Sequence, residues 1–318
     1  MRHRLLILIV VFFGLCIQPA YSYWIWTPKS GKFINPKNEP KPTPKAQFDF
    51  AKGFYDEKKY EDAKREFKKL TKAYPKSFEA SEGQYYLGLI EEEQGNLYEA
   101  YQAYQRVIDK YPFSVRIQEI NEREYKIAEA FLNGAKRKVM GVAVPMVENP
   151  AVEIFMKVVE NSTYGPLAPK AQYKLGLALK SVLRYYEAED AFSKVVSNYP
   201  TSEWADAAKF QIATCRAAVS RGPEYDQGAA GEAKQKFEEF VREHPDAALS
   251  QEAEKNIQEL SDKEAASHFN IARFYEKQKA FQAAKIYYEE TITDYPNSPW
   301  AAKSAERLAI IEKTEKKK

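Results

Sequence analysis

Cysteine is nearly missing from this 318-residue chain, which has only Cys16 and Cys215. Histidine occurs three times, methionine four and glycine 13. Each scarcity excludes something. Once an N-terminal segment is removed, Cys215 stands alone, and a single thiol cannot close an internal disulfide. His244, His268 and one cysteine cannot supply the ligand set of a zinc site. No glycine-rich phosphate loop and no nucleophile elbow occurs, so neither nucleotide binding nor serine hydrolysis has a motif to rest on. An excess of one charge is also missing. The chain has 48 basic and 45 acidic residues. Without Arg2 and Arg4 the balance is 46 against 45, which gives no global reason to bind nucleic acid. No cofactor, no metal and no enzymatic activity are expected.

Residues 1–22 read as an export signal. Met1 to Arg4 is a short basic start, and Leu5 to Leu15 is an 11-residue apolar run, too short to span a bilayer comfortably. Ala20-Tyr21-Ser22 offers small residues for cleavage before Tyr23. Cys16 is a second, lipid-bearing candidate start, although Leu15 stands where that chemistry wants a small residue.

What the chain has in quantity is aromatic residues, 14% of it, set in a repeating frame. The pattern aromatic-x-apolar-small occurs at Phe48–Ala51, Tyr85–Gly88, Tyr125–Ala128, Tyr173–Gly176, Phe210–Ala213 and Phe269–Ala272. Each copy is followed by an alanine and, four residues on, an aromatic: Ala63/Phe67, Ala100/Tyr104, Ala151/Phe155, Ala188/Phe192, Ala233/Phe237 and Ala284/Tyr288. The small residue and the alanine are 12 apart in four repeats, 23 in the third and 20 in the fifth, so those two carry insertions. A proline then closes each unit, at 75, 112, 166, 200, 245 and 296. Helical spacing around both patterns makes each unit two amphipathic helices. The small residue and the alanine are expected to let the two backbones approach closely, with the aromatic filling the space beside them. Proline ends the second helix. Ser77, Ser114, Ser202 and Ser298 are expected N-caps of the next helix.

This spacing resembles the tetratricopeptide repeat. The resemblance implies an all-α fold, a right-handed α-solenoid of six helix-turn-helix repeats at about 46–77, 78–114, 119–168, 169–202, 203–247 and 263–298, with a capping helix at 299–313. The whole array spans 46–316 and follows an aromatic and proline-rich segment at 23–45. One departure from the pattern is visible. Where the family has a small residue one turn after the second aromatic, this chain has Leu70, Val107, Val158, Val195, Phe240 and Thr291. Contacts between neighbouring repeats are therefore expected to be looser or differently angled. Tyr199-Pro200-Thr201-Ser202-Glu203-Trp204-Ala205 and Tyr295-Pro296-Asn297-Ser298-Pro299-Trp300-Ala301 look like BamD and its relatives. Those are bacterial envelope proteins that help to assemble β-barrels in the outer membrane. CpoB/YbgF-like periplasmic proteins, which coordinate cell-wall synthesis with division, have comparable repeats and remain an alternative.

Function is thus expected on surfaces that bind envelope proteins or extended peptides, including a barrel-inserting outer membrane subunit, with contact to the outer membrane surface. First helices line the concave face in this repeat class. Lys52 and Tyr55 in repeat one, and Leu89 and Glu92 in repeat two, are candidate contacts because they break the repeat. Trp24-Ile25-Trp26, a Pro28–Gly31 turn and Lys32-Phe33-Ile34 form a hairpin pattern. Trp24 and Trp26 either cover the first repeat or present an interface. A proline-rich linker follows. The insertion at 133–150 carries Lys136, Arg137 and Lys138, a basic cluster for a partner or an acidic lipid surface, or else a solvated loop tip. The second insertion, near Arg221–Gly231, reads as a surface loop, and the lysine-rich tail beyond Leu308 as frayed.

Overall fold

The structure is a computed structural model that describes residues 24–27, 31–35, 39–139, 142–144, 149–162, 164–220, 227–245 and 248–315. The expected export signal and Cys16 lie outside the described residues. Contacts divide the chain into two units, residues 1–117 and 118–318.

In the first unit a hairpin of β1 (Ile25–Thr27) and β2 (Lys32–Ile34) precedes two helix pairs. These are α1 (Pro44–Asp56) with α2 (Tyr60–Ala73), and α3 (Phe78–Glu93) with α4 (Leu97–Lys110). The second unit holds all but the first residue of α5 (Ile117–Leu132). A small hairpin follows, β3 (Lys138–Val139) and β4 (Val142–Ala143), and then α6 (Pro150–Asn161). Next come α7 (Ala168–Ser181), α8 (Tyr185–Asn198), α9 (Ala205–Val219) and α10 (Gln227–Glu243). The unit ends with α11 (Ala248–Lys277), α12 (Phe281–Asp294) and α13 (Pro299–Glu315). No described helix is long and apolar enough to cross a membrane.

Every helix pair is built on the same ring contact. The first-helix aromatic and the second-helix aromatic meet with centroids 5.4–5.8 Å apart in all six pairs. Such tilted and edge-on pairs add to the gain from area burial. The second ring lies against the small residue of the first helix. A Cβ placed on Gly88 would stand 2.3 Å from Tyr104 Cε1, and one on Gly176 would stand 2.5 Å from Phe192 Cε1. At Gly88 and Gly176 the small residue therefore seats the ring that the sequence placed beside it. Rings are the widest groups in the interface, so they set where space must be left.

Buried polar groups tie the same helices together. Gln47, Gln84 and Gln172 each stand four residues before the small residue. Their Nε2 atoms donate to the carbonyls of Glu66, Ala103 and Ala191 across the pair, at 3.0–3.1 Å. Buried Glu66 also accepts from Lys69 and Gln47. Burial pushes its carboxyl up, but the bonds from Lys69 and Gln47 outweigh burial and hold it below the usual carboxylate range. Where the second ring is a tyrosine, a glutamate four residues after the small residue takes its hydroxyl. Tyr104 Oη donates to Glu92 at 2.6 Å, and Tyr288 Oη to Glu276 at 2.8 Å. Burial first, and then this bond, push the Tyr288 hydroxyl up to about 12.

The turns within pairs repeat as well. Seven residues after the small residue, Lys58, Gly95, Leu183 and Lys279 all have positive φ, from 58° to 74°. Each is bracketed by the two bonds of a Schellman motif, for example Asn96 N to Glu91 O and Gly95 N to Glu92 O. Only Gly95 does this without a Cβ penalty.

Several expectations need correction. Ser77 and Ser298 accept the expected capping bonds from the Ala80 and Trp300 backbone amides, whereas Ser114 accepts from Arg116 N, which precedes α5, and so does not cap that helix. Ser202 Oγ is instead buried without a hydrogen-bond partner, and α9 starts with no side-chain cap. At Leu70 the neighbouring repeats are not loosely packed. Leu70, Val107, Val158, Val195, Phe240 and Thr291 are all buried. Room for Leu70 comes from the next repeat, where a Cβ on Gly83 would meet Leu70 Cδ2 at 2.8 Å. The 15 residues expected to lie outside the repeats before 263 belong to α11, a 30-residue helix with no proline or glycine to stop it. Its first half packs Ala253 and Leu260 on Phe237 and Phe240, and its second half packs Phe269 and Ala272 on Ala284 and Tyr288. Gly228 and Gly231, read as part of a loop, lie inside α10, and α13 runs on to Glu315 past the expected fraying point.

Two outcomes follow. Leu183 is 70% exposed and strained at φ 63°, so Leu183→Gly is expected to raise stability by about 0.5–1 kcal/mol. That is a rise of roughly 1–4 °C in melting temperature, read by calorimetry; a fall contradicts the assignment. A double-mutant cycle of Glu92→Gln and Tyr104→Phe is expected to show a coupling of about 1 kcal/mol or more in urea titration. Additive costs would mean that the pair is not a working hydrogen bond.

Candidate protein-binding surface

Among the described residues no group of three or more His, Cys, Asp or Glu side chains is placed to hold a metal. Cys215 is fully buried on α9, and burial pushes its thiol up to about 11, so it holds little thiolate at neutral pH. His268 takes the position that glutamine fills in three other repeats and packs its ring on Tyr295 at 5.5 Å. His244 follows α10 and stacks on Phe240 at 5.1 Å, standing where other repeats have tyrosine before proline. Both histidines are thus fitted into repeat packing.

Surface chemistry is concentrated in three places. In the first unit, α1 and α3 lie side by side, joined by Tyr55 edge-on to Tyr86 at 5.0 Å. Tyr86 also stacks on Phe67 at 5.2 Å, which anchors the ledge to the core. Lys52, one turn before Tyr55, pairs with Asp56 at 2.7 Å, and this bond raises its pKa. Leu89, one turn after Tyr86, is half-buried. Lys52, Tyr55 and Leu89 therefore join Tyr86, which was not singled out from the sequence, on one ledge. Glu92 does not stand as an open contact, because its carboxylate is committed to the Tyr104 hydroxyl inside the repeat.

The second place is the β1–β2 hairpin, antiparallel with Trp26 opposite Phe33. Trp24 is 58% exposed, Trp26 52% and Phe33 66%, so these rings do not cover the first repeat. The third is the β3–β4 hairpin of the second unit. Lys136 and Lys138 are exposed there and Arg137 is half-buried, with Val144 N donating to the Arg137 carbonyl at 2.9 Å.

A groove absent from the sequence reading lies in the second unit. It has a volume of about 460 Å³ and runs where α6, α7 and α8 meet, with Met156, Val159, Leu175, Leu179 and Tyr186 in its walls. The same offsets one repeat later give a groove of about 320 Å³ whose walls include Lys209, Lys236, Glu239 and Glu243. The signal was present in the frame, since Met156 and Ser193 both stand five residues after the second-helix alanine. Its depth depends on which side chains neighbouring helices withhold, and spacing alone does not reveal that.

Residues 149–317, more than half of the chain, match the family described as YfiO, outer membrane lipoprotein. Residues 48–115 match a tetratricopeptide repeat family. No curated protein matches the chain. Among solved structures, the C-terminal part of a TPR repeat-containing protein from Cytophaga hutchinsonii is similar at 20% identity, covering 82% of this chain and 87% of that one, with a TM-score of 0.37. The MamA protein is similar at 19% identity over 64% of this chain and 92% of that one, with a TM-score of 0.35. A tetratricopeptide repeat protein from Parabacteroides merdae is similar at 14% identity over 85% and 98%, with a TM-score of 0.33. With its helix pairs built on one repeated ring contact, the chain is an all-α tetratricopeptide repeat protein of the protein-binding scaffold class, and it belongs to the YfiO family of outer membrane lipoproteins.

Proposed function

We propose that this protein is a non-enzymatic scaffold of the bacterial cell envelope that works in the assembly of β-barrel proteins into the outer membrane. The match of residues 149–317 to an outer membrane lipoprotein family carries this reading. In it, the chain is exported by residues 1–22 and acts in the periplasm or on the periplasmic face of the outer membrane. The ledge of Lys52, Tyr55, Tyr86 and Leu89 receives an extended segment of an unfolded barrel. Aromatic rings there offer stacking and apolar area, and the Lys52 ammonium, held only by an exposed carboxylate, can exchange partners at little cost. Later repeats dock the barrel-inserting subunit. Lys136, Arg137 and Lys138 add a basic contact to that partner.

Photo-crosslinkers placed at Lys52 and Leu89 test this in cells. Barrel proteins are expected in the crosslinked product, and recovering none removes the reading. Crosslinks confined to cell-wall enzymes at division sites would support a coordinator of envelope constriction in its place.

A further inference from the structure

The β1–β2 hairpin shows its apolar groups to solvent. Trp26 lies in β1 and Trp24 directly precedes that strand, two residues away, the spacing at which extended chain repeats its face. Phe33 is the cross-strand partner of Trp26 and stands on the same face. All three rings are more than half exposed, and Ile25 on the opposite face is exposed as well. A two-stranded hairpin is marginal in water, and one with this much uncovered aromatic area is built to be covered.

Charge indicates by what. No acidic residue occurs before Glu39, in a chain with 45 of them, whereas Lys29, Lys32 and Lys37 fall between Tyr23 and Glu39. Tryptophan paired with flanking lysine suits the boundary between acyl chains and headgroups, where indole rings bury their bodies and keep the N–H wet. Lysines without acids suit anionic headgroups. This inference rests on the proposed envelope function, in which the export signal precedes the hairpin. We propose that Trp24, Trp26 and Phe33 dock the chain on an anionic phospholipid surface. This contact is separate from any lipid on Cys16.

The test uses the chain from Tyr23 onward, which retains every described residue and lacks both the apolar run and Cys16. Vesicles of phosphatidylethanolamine with phosphatidylglycerol are expected to co-sediment it. Pure phosphatidylcholine is expected to bind it at least 5-fold more weakly. Trp24→Ala/Trp26→Ala/Phe33→Ala is expected to lower partitioning at least 10-fold with unchanged helical circular dichroism. As a second readout on an intact hairpin, Trp204→Phe/Trp300→Phe leaves only the two hairpin tryptophans. Their emission is expected to shift to the blue and to be quenched by lipids brominated near the headgroup. Absence of vesicle binding, equal binding by the triple variant, or unquenched emission overturns the proposal. Hairpin crosslinks to an envelope protein without vesicle binding also overturn it, in favour of a protein partner.

Discussion

The structure depends on one contact, an aromatic ring of each second helix lying over a first-helix residue too small to exclude it. Gly88 under Tyr104 and Gly176 under Phe192 show the constraint most sharply, because any Cβ there would penetrate the ring. Other repeated features serve that seat. The first-helix aromatic packs against the second-helix ring in all six repeats, a glutamine one turn before the small residue ties the two helices in three, and a positive-φ turn residue sets the return of the second helix in four. Tyrosine rings bring their own polar cost, and Glu92 and Glu276 meet it. Arg307 in turn bonds Glu276, so α13 is joined to the last pair through the same carboxylate.

Much of this was legible in the sequence because the contact is fixed by covalent spacing. Four residues from alanine to ring recur in all six repeats and twelve from small residue to alanine in four of them, and proline marks each end. The Glu–Tyr pairing was present in the letters, since glutamate stands four after the small residue in the two tyrosine repeats alone, but its meaning needs the cross-helix register. Glu92 therefore looked like an open contact when it is a packing partner. The continuous helix α11 was missed for a related reason. Repeat patterns announce where pairs begin, whereas a helix ends only where proline, glycine or a cap stops it, and none occurs between 248 and 277.

Surfaces were less legible than the core. Lys52, Tyr55 and Leu89 fall together on the α1–α3 ledge, yet Tyr86, which organises it, looked like one more repeat aromatic. The exposure of Trp24 and Trp26 could not be read from composition, because the same residues serve cores and interfaces equally well. In a repeat protein the inward positions are shared by every copy and the outward ones are not, so partner choice lies in the residues that the frame leaves free. Here the frame leaves free the ledge, the two hairpins and the grooves between second helices.

The most direct test of the ring seat is the sign of two alanine substitutions in the first unit. Glycine inside a helix ordinarily costs about 0.5–1 kcal/mol relative to alanine, so propensity alone makes both Gly53→Ala and Gly88→Ala stabilising. Nothing lies within 4 Å of a Cβ on Gly53, whereas a Cβ on Gly88 meets the Tyr104 ring. Measured by urea unfolding, Gly53→Ala should stabilise the protein and Gly88→Ala should destabilise it by roughly 1–3 kcal/mol. Stabilisation by Gly88→Ala comparable to that of Gly53→Ala would contradict the account.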